Sequence, residues 1–224
     1  MPSTVLITGA NRGVGLALAS RYRDAGWEVI GVCRSSGGDT AELRQVANRV
    51  IEGVDVTRDE DVARLAVELE SQRLDLLINN AGLLKDERLG ALDFDSIREQ
   101  MEVNAYAPLR VTEALLGCLG DGSKVANITS RMGSIADNDS GGRYGYRASK
   151  AALNAFGKSL AMDLKPRGIA VAQLHPGYVQ TRMVDFGGMI TPEEAAAGIA
   201  ERIEALSLAT TGGFWHSNGE PLPW

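Results

Sequence analysis

Short apolar segments rich in β-branched residues alternate with longer helix-like segments along the whole chain of 224 residues. Such alternation is typical of βαβ units, in which a helix connects two parallel strands and covers one face of their sheet. We therefore expect an α/β fold, a doubly wound parallel sheet with helices on both faces. Strands are predicted at residues 4–8, 29–33, 50–54, 74–79, 123–129, 169–174 and 212–215. Helices are predicted at residues 13–26, 40–48, 58–72, 93–118, 145–166 and 192–206.

Local signals add detail to this pattern. Thr57 is a suitable N-cap for the third helix, and Pro192 after Thr191 suits the first turn of the last helix. The stretches at 35–39 and 137–142 are predicted to be loops. Because neither an internal repeat nor a low-complexity linker is visible, residues 1–224 are expected to form a single domain.

A glycine-rich turn follows the first predicted strand. The segment Gly9-Ala10-Asn11-Arg12-Gly13-Val14-Gly15 joins that strand to the first helix. Glycine lacks a Cβ atom, so a pyrophosphate can approach the backbone, and the helix N-terminus beyond offers free N–H groups. The spacing Gly-x-x-x-Gly-x-Gly differs from the commoner Gly-x-Gly-x-x-Gly dinucleotide fingerprint. The turn predicts a phosphate-binding loop, and a tight strand–helix turn without a ligand is the alternative.

Tyr146 and Lys150 are four residues apart at the head of the fifth predicted helix. Residues i and i+4 share one face of a helix, so the lysine ammonium can lie near the tyrosine hydroxyl. A free tyrosine has a pKa of about 10, so acid/base work near neutral pH requires about 4 kcal/mol of preferential phenolate stabilisation. The pair is interpreted as a proton-transfer device, and a chance pair on a solvated helix face is the alternative.

Further motifs occur in a compatible order, namely Asn79-Asn80-Ala81-Gly82, Asn104, Ser130 and His175-Pro176-Gly177. Together with the glycine-rich turn and the Tyr-x-x-x-Lys pair, they resemble the short-chain dehydrogenase/reductase family over essentially the whole chain. Residues 128–135 and the ending, Gly213-Phe214 with Leu222-Pro223-Trp224, look most like the C-factor/Sniffer-type carbonyl reductases of that family. The resemblance implies one NAD(P)-binding domain with a Rossmann-like sheet of about seven strands.

The resemblance also implies a cofactor. Arg34 follows the second strand where NAD-preferring relatives usually place an acidic residue for the ribose 2′-hydroxyl. The guanidinium groups of Arg34 and Arg12 would instead suit a 2′-phosphate, so NADP(H) is the expected cofactor. For each arginine, an exposed side chain that only adds solubility is the alternative.

Other positions match cofactor contacts of the family. Asp55 matches the residue that accepts a hydrogen bond from the adenine amino group, with Val56 beside the ring. Val179 matches a contact of the nicotinamide, and Thr181 a contact of its carboxamide or of the pyrophosphate. The full expected set is Gly9, Asn11, Arg12, Gly13, Val14, Gly15, Arg34, Asp55, Val56, Asn80, Ala81, Gly82, Tyr146, Lys150, Pro176, Gly177, Val179 and Thr181.

Four residues match the catalytic set of the family: Asn104, Ser130, Tyr146 and Lys150. Tyr146 would be the general acid/base, Lys150 would lower its pKa, and Ser130 would hold the substrate carbonyl. Asn104 is locally unfavourable inside a helical pattern, and its family counterpart holds a water that links the lysine to solvent. Ser134 is the rival of Ser130, because the interval from Ser130 to Tyr146 is a few residues longer than in many relatives.

This set implies an NADPH-dependent oxidoreductase that reduces an aldehyde or ketone to an alcohol by hydride transfer. Two alternatives stay open. A regulatory or signalling protein could bind NADP(H) on the same fold with little turnover. An NAD-linked alcohol dehydrogenase would be equally active with NADH.

Composition limits the partners and the location. The formal net charge of −6 without a basic tract argues against a nucleic-acid surface. No apolar run reaches about 18 residues and no basic-then-apolar leader precedes the first strand, so we expect a soluble, cytoplasmic protein without a membrane partner. The long helices at 93–118 and 145–166 are the usual dimer surface in the family, so a homodimer or homotetramer is expected.

Cysteine and histidine are scarce. Cys33 and Cys118 are expected to be ordinary buried thiols and not a disulfide. His175 and His216 are expected to be too few and too isolated for a metal site.

Overall fold

The computed structural model describes residues 2–34 and 40–224. Within these residues, seven parallel strands form one sheet in the order β3-β2-β1-β4-β5-β6-β7. The strands are β1 (Thr4–Thr8), β2 (Glu28–Val32), β3 (Arg49–Ile51), β4 (Leu74–Asn79), β5 (Leu119–Ile128), β6 (Ala170–His175) and β7 (Gly213–His216). The helices are α1 (Gly13–Asp24), α2 (Ala41–Val46), α3 (Asp59–Glu68), α4 (Phe94–Met101), α5 (Ala107–Ala114), α6 (Tyr144–Leu164) and α7 (Pro192–Ala205). The predicted doubly wound α/β sheet is confirmed.

The predicted helix at 93–118 is wrong as a single element. Helix α4 is followed by a π-helical turn, Glu102–Tyr106, and α5 ends at Ala114, after which β5 begins at Leu119 instead of 123. Pro108 accounts for the interruption, because proline has no N–H to donate to the carbonyl of Asn104, four residues earlier, and its ring crowds that carbonyl. Strand β3 is also shorter than the predicted 50–54.

Of the two predicted helix N-termini, at α3 and α7, only the one at α7 is confirmed. Arg58, not Thr57, is the N-cap of α3, because the Thr57 hydroxyl donates to Asp55 Oδ1 at 2.7 Å. At α7 the prediction is confirmed, since Pro192 begins the helix and Thr191 forms a reciprocal capping box with Glu194. Residues 137–142 form a loop as predicted, whereas the loop predicted at 35–39 lies outside the described residues.

Alternate residues of each strand supply the two faces of the sheet. In β1, Val5 and Ile7 pack with α1 and α7, while Leu6 packs with α3, α5 and α6. Both cysteines are buried as expected, and burial raises the pKa of Cys33 to about 11. Each face therefore has its own apolar core, and the sheet is covered on both sides.

A row of buried amide side chains crosses the sheet below helix α6. Asn79, Asn127 and Gln173 are neighbours in register on β4, β5 and β6. Asn79 Nδ2 donates to Asn127 Oδ1 at 2.9 Å, and Asn127 Nδ2 donates to Gln173 Oε1 at 3.0 Å. Helix α6 crosses this row at Gly157, where an ideal Cβ atom would lie 1.9 Å from Gln173 Oε1. The glycine therefore lets α6 lie directly on the amide row.

Helix α6 has 21 residues and is the longest helix in the described part of the chain. It packs on β6 and on the segments around α4 and α5. Among residues 2–34 and 40–224, no helix combines the length and the apolar character that crossing a membrane requires.

We predict that Gly157→Ala destabilises the protein, although alanine normally stabilises a helix interior by up to about 1 kcal/mol relative to glycine. The added Cβ must displace the Gln173 amide, so the free energy of unfolding should fall by about 2–3 kcal/mol. Urea unfolding followed by circular dichroism measures this change.

Gly117→Ala is the matched control, because, apart from Gly117 and its two chain neighbours, no described residue has an atom within 4 Å of its Cβ position. We expect it to change stability by less than about 0.5 kcal/mol. Equal stability of the Gly157→Ala variant and the wild type would contradict a tight contact at this position.

Candidate active site

The glycine-rich turn lies between the carboxyl ends of β1 and β4, where the strand order changes direction. An ideal Cβ at Gly9 would lie 2.9 Å from Ala81 Cα, and one at Gly15 would lie 2.3 Å from Gly9 O. Any larger residue would therefore force these backbone segments apart. In open α/β sheets, ligands bind in the crevice at this point of the sheet.

Asn80 holds the turn in place. Its Nδ2 atom donates to the carbonyl oxygens of Thr8 and Gly9 at 3.0 and 3.1 Å. In return, Thr8 Oγ1 accepts from the N–H groups of Asn80 and Ala81 at 3.0 and 3.2 Å. The side-chain amide of Asn80 thus binds the backbone at the start of the glycine-rich turn. Thr8 was missed by the sequence reasoning, and a hydroxyl at the end of a buried apolar strand was the signal for it.

The start of α1 can receive an anionic group. Among the described residues, no side chain caps this helix and no acidic residue occupies its first turn. An ideal Cβ at Gly13 would lie 3.2 Å from Thr181 Cγ2, so the loop after β6 closes over the turn. Asn11 and Val14 are half-buried in the turn and Arg12 is exposed beside it. A cradle of glycines with free N–H donors fits the pyrophosphate of a dinucleotide.

Arg34 and Asp55 lie side by side at the ends of β2 and β3. Arg34 Nη1 is 3.8 Å from Asp55 Oδ2, and the arginine side chain is 74% exposed. Asp55 Oδ1 also accepts from the N–H and hydroxyl of Thr57 at 3.0 and 2.7 Å. Burial alone would raise the pKa of Asp55, but the Thr57 hydrogen bonds and the Arg34 charge lower it below its usual value. Val56, next in the chain, is half-buried.

The loop after β6 carries the remaining predicted cofactor contacts. Gly177, next to Pro176, has a φ of 95°, and an ideal Cβ there would lie 2.8 Å from Ile190 Cδ1. Val179 is buried and forms a β-bridge with Ile190. This closure places the segment from Pro176 to Thr181 beside the glycine-rich turn.

Tyr146 and Lys150 are both buried at the head of α6. As predicted, they share a helix face: Lys150 Nζ lies 5.8 Å from the centre of the Tyr146 ring. The ammonium donates to the carbonyl oxygen of Ile128 at 2.9 Å, and burial lowers the pKa of Lys150 to about 8.

The pKa of Tyr146 differs from the prediction. Burial raises it above its ordinary value, although a hydrogen bond with Ser130 and the charge of Arg143 act in the opposite direction. The expected fall of the tyrosine pKa is therefore not found in the protein alone. The sequence spacing gave the distance between Tyr146 and Lys150 but not the desolvation of the phenol.

Ser130 is two residues beyond the end of β5, and its hydroxyl accepts from the N–H of Met132 at 3.1 Å. It also lies close enough to Tyr146 to lower the pKa of that phenol through hydrogen bonding. The hydroxyl of Ser134 instead accepts from the N–H of Asp137 at 3.1 Å. Between the two serines, Gly133 lies against α6, where an ideal Cβ would lie 2.7 Å from the carbonyl carbon of Lys150. The geometry therefore favours Ser130 over Ser134 as the partner of Tyr146.

Asn104 is fully buried in the π-helical turn and ties two segments of the site together. Its Oδ1 accepts from the N–H of Leu83 at 2.8 Å, while its Nδ2 donates to Leu83 O at 2.7 Å and to Ser149 Oγ at 3.0 Å. An ideal Cβ at Gly82 would lie 3.4 Å from Asn104 Oδ1 and 3.8 Å from Lys150 Nζ. The four predicted catalytic residues and the segment after β4 thus form one cluster.

Glu87 is a site residue that the sequence reasoning missed. Its carboxylate is buried and accepts from Gly145 N at 3.0 Å, from Ser96 Oγ at 2.7 Å and from the Gln100 amide. It thereby caps α6, whose own N-cap residue, Arg143, makes no capping side-chain hydrogen bond within the described residues. The surrounding sequence Lys85-Asp86-Glu87-Arg88 is typical of a solvated surface, so no sequence signal distinguished this carboxylate.

The two histidines are neighbours, contrary to the expectation that they are isolated. The rings of His175 and His216 meet edge to face with 4.8 Å between their centres. Burial, assisted by the neighbouring His216 and other nearby cations, lowers the pKa of His175 to about 3. In the described ranges, no three His, Cys, Asp or Glu side chains group together as metal ligands would.

Comparison with known proteins agrees with this architecture. The family model described as short chain dehydrogenase matches residues 3–187. The 1-hydroxy-2-glutathionyl-2-methyl-3-butene dehydrogenase of Rhodococcus sp. (strain AD45) is 43% identical over 229 residues, which cover 99% of this chain and 100% of that protein. C-signal of Myxococcus xanthus is 41% identical over 154 residues, which cover 67% of this chain and 93% of that protein.

Solved structures of carbonyl reductases are similar along the whole chain. Carbonyl reductase Sniffer of D. melanogaster superposes with a TM-score of 0.93 at 30% identity and covers 100% of both chains. The NADPH-bound carbonyl reductase from chicken fatty liver has a TM-score of 0.90 at 29% identity, again over 100% of both chains. The predicted likeness to the C-factor/Sniffer-type group is confirmed. With this fold and these relatives, the chain belongs to the short-chain dehydrogenase/reductase family of oxidoreductases.

Proposed function

We propose that this protein is an NADPH-dependent carbonyl reductase, which converts an aldehyde or ketone to an alcohol. The observation that carries the proposal is the buried Tyr146–Lys150 pair, which lies beside Ser130 at the carboxyl end of the sheet. Catalytic groups with perturbed pKa values in a crevice next to a dinucleotide cradle are what hydride-transfer chemistry requires. The likeness to carbonyl reductases, one of them described as NADPH-bound, supports the same reaction.

In this mechanism, Ser130 donates a hydrogen bond to the carbonyl oxygen of the substrate, and Tyr146 protonates that oxygen as negative charge develops on it. When bound, NADPH supplies the hydride to the carbonyl carbon. Lys150 stabilises the phenolate that Tyr146 becomes. A lysine pKa of about 8 leaves the ammonium charged at neutral pH, so it can play this part.

The resupply of the proton is assigned to Lys150 and Asn104. Within residues 2–34 and 40–224, the ammonium uses one of its three donors on Ile128 O, and the other two would be available for the cofactor ribose and for a water molecule. Asn104, fixed by Leu83 and Ser149, would hold that water on a path to solvent.

The choice of NADP(H) rests on the cations near the adenosine end of the crevice. Arg34 is exposed, and its ion pair with Asp55 is long, so its guanidinium can turn towards a 2′-phosphate. Arg12, exposed at the start of α1, is the second cation available to that phosphate. Bound NAD would leave both charges unmatched.

A second candidate is the oxidation of a hydroxyl group in the same site. The 43% identity with a dehydrogenase over the full length of both proteins favours it. Oxidation uses the same residues in reverse, with Tyr146 accepting the proton. The ratio of the reduced and oxidised cofactor in the cell would decide the direction. A pure NADP(H)-binding regulator, the remaining alternative, has no chemical need for the Ser130–Tyr146–Lys150 cluster.

We further propose that residues 1–224 act as one domain in a cytoplasmic homodimer or homotetramer, without nucleic-acid or membrane partners. Exposed apolar side chains on the outer face of the helices support self-association. Tyr106 and Met162 are 43% and 47% exposed, and the Tyr106 ring lies 6.2 Å from that of Phe156. Light scattering that gives a monomer at micromolar concentration would contradict the assembly.

Tyr146→Phe should lower kcat/KM with NADPH by about 10²–10⁴-fold, because it removes the acid that protonates the developing alkoxide. NADPH binding should change little. Loss of nicotinamide absorbance over a set of aldehydes, α-diketones and quinones measures turnover. Tyr144→Phe, at a partly exposed position two residues earlier, is the matched control and should retain activity. Tight NADPH binding without turnover in the wild type would favour the regulator.

Arg34→Ala should weaken NADPH binding by about 10–100-fold and leave NADH binding nearly unchanged, since only NADPH carries the 2′-phosphate. Fluorescence titration of both cofactors measures this difference. Arg23→Ala is the control for the loss of one surface charge, because Arg23 lies in the last turn of α1, at the end of that helix away from the glycine-rich turn. If both cofactors weaken equally in Arg34→Ala, the arginine does not select NADP(H).

Lys150→Met should abolish activity but stabilise the fold at neutral pH. Burial lowers the pKa of Lys150 from 10.5 to about 8, so the charged form opposes folding by up to about 3 kcal/mol below that pH. Because methionine leaves the Ile128 carbonyl without its donor, the net gain should be about 1–2 kcal/mol.

This gain should shrink as the pH rises from about 8 to 10.5, because wild-type stability rises where the unfolded chain binds the extra proton. Urea unfolding at several pH values measures it. Lys158→Met, on the exposed face of the same helix, is the control and should gain nothing. A pH-independent difference between Lys150→Met and the wild type would contradict a charge effect.

A further inference from the structure

Three successive residues before α6 have left-handed backbone conformations. Gly141 and Gly142 both have a φ of 64°, and Arg143 has a φ of 49°. Glycine adopts this conformation without strain, whereas a residue with a Cβ atom pays about 1–2 kcal/mol. A long side chain thus occupies a position that would suit a third glycine. Strained residues of this kind cluster at binding and catalytic sites.

The Arg143 guanidinium lies between the two segments that form the walls of the site. Its Nη1 is 3.7 Å from Met132 Sδ, two residues after Ser130. Its Nε is 3.6 Å from Asp86 Oδ1, four residues after Gly82. Burial raises the pKa of Tyr146, and the charge of Arg143 is close enough to oppose that rise. The guanidinium thus lies between the turn that follows Ser130 and the segment that follows Gly82, at the start of the helix that carries Tyr146.

The contacts of Arg143 in the protein are weak. A thioether sulfur is a poor acceptor, and the pair with Asp86 is long and has both side chains 47% exposed. Arg131, in the neighbouring turn, has a closer partner, with its Nε 2.7 Å from Asp137 Oδ2. Because a guanidinium offers five donors in a fixed fork, Arg143 can bind a further carboxylate at shorter range than it holds Asp86.

We propose that Arg143 binds an anionic group of the substrate, so that the site prefers aldehydes or ketones that carry a carboxylate or a similar negative charge. This inference rests on the proposed reductase function and assigns its substrate class. Tyr146 and Ser130 would hold the carbonyl end, and Arg143 would fix the opposite end of the same molecule.

The test compares para-formylbenzoate with its neutral methyl ester as substrates. Arg143→Gly fits the left-handed backbone and removes the charge without threatening the fold. It should lower kcat/KM for para-formylbenzoate by about 10–100-fold, mainly through KM, and change that for the ester by less than about threefold. Arg143→Lys should restore part of the loss. Arg88→Ala, which removes another cation paired with Asp86, should leave both substrates within about threefold.

An equal loss for the acid and the ester in Arg143→Gly, or no loss for either, would overturn the proposal. Calorimetric titration of para-methylbenzoate and its methyl ester, neither of which can react, gives a readout that is independent of turnover. Binding of the acid that weakens only in Arg143→Gly supports the anion site even if no aldehyde is reduced, in which case the reductase function alone fails. Equal binding of the acid to the wild type and Arg143→Gly overturns the anion site.

Discussion

Helix α6 lies directly on the sheet, and the positions of the proposed catalytic groups depend on this close approach. Two glycines permit it. Gly157 faces the Gln173 amide, and Gly133 lies against the backbone at Lys150. Since protein interiors are close-packed, a larger side chain at either position would have to lift the helix. The distance between Tyr146 and Ser130 would then change as well, so the packing of the fold and the geometry of the site are set by the same contacts.

Burial shifts the pKa values of Tyr146 and Lys150 in opposite directions. It raises the pKa of Tyr146 and lowers that of Lys150 to about 8, so both shifts favour the neutral forms. A tyrosine with a raised pKa keeps its proton at neutral pH, and this is the form that can protonate a reduced carbonyl. The pair therefore starts from the state that the proposed reduction requires, and in that reaction the charge on Lys150 would contribute only once a phenolate forms beside it.

Most of the fold and the outline of the candidate site could be predicted from the sequence, because the relevant signals are local. Apolar runs predict the strands, and a helix spacing of four places Tyr146 and Lys150 on one face. The features that could not be predicted depend on contacts between segments that are distant in the sequence. The hydroxyl of Thr57 is drawn to Asp55 and not to the helix, and the burial of Glu87 arises from segments on α4 and α6 that its neighbours in sequence do not reveal.

The interruption of the helix predicted at 93–118 could be predicted only in part. Pro108 lies inside the predicted helix at 93–118 and could have indicated a break, but the form of that break, a π-helical turn around Asn104, follows from the contacts of the asparagine with Leu83 and Ser149. The tyrosine pKa was missed for a similar reason, since spacing reports distance but not the loss of solvent.

The strand order has a consequence for how the chain folds. The crevice opens between β1 and β4, whose bracing contact joins the Asn80 amide to Thr8 across 72 residues of sequence. Such a non-local contact forms late and slowly, because the chain must lose the entropy of closing a long loop before the contact can stabilise it. Any molecule that binds in the crevice stabilises only chains in which both halves of the sheet have already met. Occupancy of the crevice should therefore protect the whole chain from unfolding and proteolysis, and not only the loops that touch the ligand.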